Sequence, residues 1–349
     1  MDKAFLFDLL ATASPSGHEA AIQKKWMKHV EPFADQIKTD AAGNSIGVVN
    51  PRAKFKLLLA GHCDEVGFII NRIDENGFIR FTELGRVSHK PAIGMKMDIL
   101  GSGGRITGVV GVNAEHHGGI TDDFDFEDLY IDCGAKSKEE MQCWVKVGDP
   151  VVYKREAETL LNDRIAGRGL DNRTGAFIVA EVLKAVAGKV NADVGVYAAS
   201  TVNEETNMGG AYFAGAGVKP NMAIACDVTF ATDYPGVNRN KHGEIDLDGG
   251  PVLAKGAPIN AKLNRRLEEA AERKGIGVQY ELTPRMTGTD ADRIRVTGRG
   301  VPVALVSLPL RYMHAPVETV SLKDIEEEIE LLADFLVNLK GNEKVGPLD

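Results

Sequence analysis

Four short apolar runs, far apart in the chain, each lead into a residue able to bind a metal or carry a proton. They are Leu57–Ala60 before His62, Val194–Val202 before Glu204 and Glu205, Met222–Cys226 before Asp227, and Val303–Leu310 before His314. Short runs that are apolar throughout, rather than alternating, read as parallel strands buried on both faces. Open α/β sheets gather ligands outside the carboxyl ends of their strands. The sequence therefore predicts that these five residues converge on one edge of one sheet.

The segments around the runs fill in that architecture. Met1–Leu10 and Glu19–Val30 have helical patterning and are joined by the turn Ser14-Pro15-Ser16-Gly17. Ile37–Thr39 and Ser45–Val49 read as short strands. Asn172–Ala187 carries an apolar stripe that suits a helix packed on a sheet. Asn260–Lys274 is a second such helix, with Asn260 as N-cap and Gly275 as its stop. Ser321-Leu322-Lys323-Asp324 predicts a capping box opening a final helix, and Asn342–Asp349 reads as a loose tail.

From Gly67 the texture changes to alternating runs split by glycine turns, among them Asp74-Glu75-Asn76-Gly77 and Gly101-Ser102-Gly103-Gly104. Ser137–Gln142 is the one short helix expected there. The predicted class is α/β: a mixed, largely parallel sheet sandwiched by helices, interrupted by a small inserted β-barrel. The expected bounds are 1–66 and 161–349 for the main domain and 67–160 for the insert.

Composition narrows the function. A net charge of −9 with no basic cluster argues against nucleic-acid binding. No stretch approaches the roughly 20 apolar residues of a membrane span, and Met1–Ser16 does not read as a signal peptide. The four cysteines, Cys63, Cys133, Cys143 and Cys226, show no metal or disulfide spacing, so free thiols in a reducing cytoplasm are expected. No helix opens on a phosphate-cradling glycine loop.

The chemistry-bearing residues form a coherent donor set. Imidazoles at His62 and His314 suit zinc or cobalt. Asp64, two residues beyond His62, is expected to hold the other ring N–H and fix the tautomer. Asp171 precedes a predicted helix, where an aspartate is ordinarily an N-cap. Its two oxygens also allow it to bridge two cations. Glu204 and Glu205, taken as extended chain, would point opposite ways, one toward metal and one toward a proton transfer. Together His62, Asp171, Glu205, Asp227 and His314 make a ligand set for two ions, with Glu204 left as base. Two ions about 3.5–4 Å apart acidify a shared water to a pKa of about 7. Glu204 is expected to take that water's proton and return it to the leaving amine.

The segments His62–Phe68, Leu170–Arg173, Glu204-Glu205 with Gly209–Ala211, Asp227–Thr229, Gly288–Ala291 and Arg311–His314 resemble, in order, those of the tetrahedral aminopeptidases. These are the glutamyl and deblocking aminopeptidases, sometimes mislabelled endoglucanases. The resemblance implies that His62 and Asp227 bind one metal, that Glu205 and His314 bind the other, and that Asp171 bridges them. It implies Glu204 as general base, Asp64 as support for His62, and a free α-amine on short peptide substrates. It further implies that the β insert pairs subunits into a hollow twelve-subunit tetrahedron. Cys63, Asn203 and Thr206-Asn207-Met208 depart from the family pattern without removing a ligand, so they bear on pocket shape.

Three other readings compete. A glycosidase needs two carboxyls facing each other about 5–9.5 Å apart and leaves both histidines idle. Another dinuclear amidohydrolase, an N-acyl deacylase or carboxypeptidase, would share the ligands. A binding protein that kept the fold would not need all of them. His116 and His117, adjacent in a glycine-rich loop of the insert, read as surface or interface residues with a third metal site as the minor reading.

Overall fold

The four apolar runs lie side by side in the computed structural model, which describes residues 1–154, 156–346 and 348–349. Strands Val194–Thr201, Phe55–His62, Met222–Phe230 and Val303–Leu310 are neighbours in that order and run parallel. Ser45–Val49 and Gln36–Thr39 extend the sheet antiparallel on one side. Val252–Gly256 pairs antiparallel with Val303–Leu310 on the other, and Gln279–Thr283 completes eight strands.

The pleat divides each central strand between two cores. Leu57, Leu59, Ile224, Cys226, Ala304 and Val306 face one side, against helices Lys3–Ala11, Ala20–Val30, Leu170–Val186, Ala261–Lys274 and Leu322–Val337. Leu58, Ala60, Ala223, Ala225, Val303 and Leu305 face the other, against Gly209–Val218 and Asp290–Ile294. Apolar residues on both faces are why these strands read as unbroken apolar runs.

One close approach sets where the central helix meets the sheet. A Cβ on Gly61 would lie 2.5 Å from the Gly175 carbonyl carbon, and one on Gly175 would lie 2.5 Å from the Cys226 carbonyl oxygen. Glycine at both positions lets the start of Leu170–Val186 press against the ends of two strands. Asp171 is thereby brought to the same edge as His62 and Asp227.

Between His62 and Asp171 the chain closes a six-stranded antiparallel barrel, in the order Gly67–Ile73, Ile79–Leu84, Tyr130–Asp132, Gly104–Gly111, Lys96–Gly101, Pro150–Tyr153. Phe68 fills it, meeting Phe81 at 5.3 Å and Tyr153 at 5.2 Å edge to face. Beyond it, Glu158–Leu160, Arg164–Gly167 and Glu318–Ser321 form a separate three-stranded sheet.

Asn260 caps its helix as expected, accepting from Leu263 N–H, and Ser137 proves to be the cap of Lys138–Gln142, accepting from Glu140 N–H. Two local expectations change. Ser321 caps the final helix through Lys323 N–H, but Asp324 does not close a capping box. Its oxygens accept the N–H groups of Asp248 and Gly250, both at 2.9 Å, because a loop packs over the helix start. The C-terminal segment is docked rather than loose: Val345 is buried in the first core, and its carbonyl accepts Asn260 Nδ2 at 2.6 Å. Pro347 lies outside the described residues. Among the described residues, no helix is long and apolar enough to cross a membrane.

Candidate metal centre

His62 is the last residue of its strand, level with Thr201 on the neighbouring one. Its ring is buried, and Nδ1 lies 3.1 Å from the Asp64 carbonyl oxygen and 3.4 Å from the Asp64 carboxylate. The peptide carbonyl is the nearer acceptor. Either contact leaves Nε2 facing the strand ends. Around it stand Asp171 Oδ1 at 3.3 Å, Glu204 Oε2 at 3.7 Å and Asp227 Oδ1 at 3.8 Å.

The second imidazole belongs to His314, four residues beyond the end of strand Val303–Leu310. His314 Nε2 lies 3.3 Å from Asp171 Oδ2 and 3.4 Å from Glu205 Oε2. Asp171 thus gives one oxygen to each histidine. It is not an N-cap: Gly169 holds that position, and Asp171 has non-helical dihedrals of −76° and 108° within the merged helix. The residue's place is set by tertiary contacts, which override the local preference.

The glutamate pair departs from the extended chain expected. Strand Val194–Thr201 stops, Asn203 turns left-handed with φ 56°, and Glu204–Asn207 forms a short helix. Asparagine tolerates that conformation better than most residues. The two side chains still diverge, now by the roughly 100° per residue of a helical turn. Asp64 fixes this turn: its carboxylate accepts the N–H of Glu204 at 3.0 Å, the N–H of Glu205 at 3.2 Å and the Ser16 hydroxyl at 2.6 Å.

Electrostatics show a pocket with too many acids. Burial, reinforced by the charges of Asp227, Asp290 and Glu205 against the opposing pull of His62, pushes Glu204 up to about 10. Burial and the Asp171 charge push Glu205 up to about 7. Burial also lifts Asp227 well above the usual carboxylate range. Burial works against protonation of His314, yet hydrogen bonds to Asp171 and Glu205 carry it up to about 11. Asp171, held by both imidazoles, is depressed despite its burial.

The donors fit divalent metal. Ligand atoms of His62, Asp171 and Glu205 lie within 4.8 Å of one another, as do those of His62, Glu204 and Asp227. Glu204 Oε1 and Glu205 Oε1 are buried without a hydrogen-bond partner. Buried oxygens of this kind call for a partner, and cations would balance the acids. Imidazole with carboxylate suits zinc and its neighbours. Neither group includes His116 or His117, which sit on an exposed turn of the barrel.

Comparison with known proteins decides the family. The model of the M42 glutamyl aminopeptidases matches residues 43–331. This chain is a member of that family. A lysyl aminopeptidase of Pyrococcus furiosus is 31% identical over 351 residues, covering 97% of this chain and 98% of its own. A TET aminopeptidase from a marine-sediment Thaumarchaeota archaeon superposes with a TM-score of 0.90 at 28% identity, over 97% of this chain and 96% of that one. The TET1 peptidase of Pyrococcus horikoshii, which can assemble into a tetrahedron or a large octahedral shell, gives 0.84 at 29% identity over 97% and 99%. The M42 fold, a mixed sheet with a closed barrel, is the fold of this chain.

Several residues of this M42 site carry no strong sequence signal. Asn172 donates Nδ2 to the Cys226 carbonyl and accepts Gly175 N–H, tying the helix start to the strand bearing Asp227. Asp290, from the Gly288–Ala291 motif, is buried, accepts the Thr201 hydroxyl at 2.5 Å and keeps Oδ1 unpartnered. Glu65 binds Arg168 at 2.6 Å and Arg173 at 2.5 Å in the interior behind His62. Arg311 is held by two hydrogen bonds to the Asp233 carboxylate. An acid paired with each of these cations and a polar contact for each amide are readable only in three dimensions.

Proposed function

We propose that this M42 peptidase is a two-metal aminopeptidase that releases N-terminal residues from short peptides. His62 and Asp227 would hold one divalent ion, Glu205 and His314 the other, and Asp171 both. The single observation that carries the reading is the pair of equal 3.3 Å contacts from the two Asp171 oxygens to the two imidazoles. One carboxylate spans both histidines, as a bridging ligand must.

Bound there, zinc or cobalt would acidify a water and polarise the scissile carbonyl. Glu204 does the proton work. Cations held by the neighbouring acids would offset the charges that keep Glu204 protonated, and its ionised carboxylate would then take the water's proton and deliver it to the leaving amine nitrogen. Asp64 keeps Glu204 in place through its backbone, and His62 is kept in orientation by the Asp64 carbonyl. The surplus of buried carboxylates also suits a substrate that carries a free α-ammonium. A dinuclear site would place this charge beside acids rather than in water.

The inserted segment 67–160, which contains the barrel, is proposed as the pairing module of a homo-oligomer, a tetrahedral dodecamer; the Pyrococcus horikoshii relative can assemble into a tetrahedron. Four unpaired cysteines suit a cytoplasmic location.

The test compares an aminoacyl p-nitroanilide with its N-acetylated form, before and after chelation. Hydrolysis of the free amine alone, abolished by chelator and restored by zinc or cobalt, is expected. Preference for the acetylated form would make the enzyme a deacylase, and activity indifferent to chelator would remove the metals from the account.

A further inference from the structure

We infer that Glu318 is a positioning residue that sets the spacing of the two metal-binding halves; this rests on the two-metal reading above. Glu318 is 2% exposed, and its two oxygens serve two different ligands. Oε1 accepts the backbone N–H of His314 at 2.8 Å, and Oε2 accepts the backbone N–H of Asp171 at 3.1 Å. The bridging residue and the terminal histidine of the second ion are thus tied to one rigid carboxylate.

Three features of the chain converge on this arrangement. Glu318 opens strand Glu318–Ser321, where it pairs with Gly167, four residues before Asp171. The loop after Val303–Leu310 closes on itself, since Arg311 and Thr319 exchange N–H···O bonds of 3.0 and 3.1 Å. Within that loop Tyr312 and His314 both adopt left-handed backbone, φ 65° and 60°. Non-glycine residues hold that conformation only where surroundings enforce it. The His314 N–H bond to Glu318 is one such restraint.

The geometry repeats a device seen on the other half of the site. Asp64 takes the N–H groups of Glu204 and Glu205, while Glu318 takes those of Asp171 and His314. Two buried carboxylates thereby fix the backbone of four chemistry-bearing residues. A carboxylate can accept two N–H bonds in this way, whereas an amide must turn a donor toward one of them.

The test is zinc uptake by metal-free protein, followed calorimetrically, for wild type, Glu318→Gln, Glu318→Asp and the control Asp324→Asn. Asp324 is an equally buried carboxylate that also accepts two backbone N–H groups, but those of Asp248 and Gly250, neither of them a proposed ligand. Wild type is expected to take up two ions. Glu318→Gln should bind at least one of them about ten- to a hundredfold more weakly, with kcat lowered at limiting zinc, recovered by excess zinc, and KM unchanged. Glu318→Asp, charged but one methylene short, should show the same defect and covers the case in which Glu318→Gln does not fold. Asp324→Asn should lose thermal stability yet bind zinc as wild type does. Wild-type uptake of two ions with unaltered uptake by the folded Glu318 variants would overturn this inference alone. Wild-type protein that takes up no zinc would overturn the two-metal reading and this inference with it.

Discussion

The Asp64 carboxylate receives the backbone N–H of Glu204 at 3.0 Å, so the residue proposed to move the proton is held by its main chain rather than its side chain. The same carboxylate also receives Glu205 N–H and the Ser16 hydroxyl. Asparagine at this position would offer one acceptor oxygen and set an amino group against a remaining donor. Asp64→Asn should therefore keep its fold, by circular dichroism, and lose about 10–100-fold in activity. Unchanged kcat would mean that the glutamate turn holds itself.

Glu204 sits beside His62 with one oxygen unpartnered, and it is the residue proposed to carry the proton. Glu204→Gln should lower kcat by about 10²–10⁴-fold while zinc content, by elemental analysis, stays at the wild-type value. Loss of zinc together with activity would recast Glu204 as a ligand.

Gly61 lies against the Gly175 backbone with no room for a methyl group. Gly61→Ala must push the helix carrying Asp171 away from the strand ending at His62. Overpacking of this kind costs about 1–3 kcal/mol, and here it also separates two ligands. Both the melting temperature and zinc affinity should fall. A lower melting temperature with intact zinc affinity would show that the two ligands tolerate the shift.

Glu181 should contribute to acid sensitivity from outside the metal centre. Burial tends to raise Glu181, but His29, the Asp2 N–H and Lys184 outweigh it and hold the carboxyl at about 2. An unfolded glutamate titrates near about 4.3. Between those values the unfolded chain binds the extra proton, so stability rises with pH there. The Glu181 contribution is complete above about pH 4.3 and disappears as pH falls toward 2. The melting-temperature gap between wild type and Glu181→Gln should be widest near neutrality and close over that acidic window. A gap independent of pH would contradict this assignment.

Much of this was legible from the chain because buried parallel strands announce themselves as unbroken apolar runs, and because each of the four runs ends in a residue with chemistry. Geometry that depends on the turn after a strand was less legible. The divergence of Glu204 and Glu205 comes from a helix opened by left-handed Asn203, not from a pleat. Tyr130–Asp132 carries only three residues, too few for a periodicity to show, although the barrel cannot close without it. Glu318 was invisible for a different reason: it acts on backbone N–H groups of residues 4 and 147 positions away, and nothing in its local sequence records that. Asp324 looked like a cap because the spacing is right, but the fold gave it two nearer donors.

The most direct measurement is zinc-edge anomalous diffraction from crystals of the zinc-loaded protein. Two peaks per chain are predicted, one against His62, Asp227 and Asp171, the other against Glu205, His314 and Asp171, with Glu204 contacting neither. No peak in this pocket, or a single peak that leaves Asp171 bound to only one ion, would contradict the account.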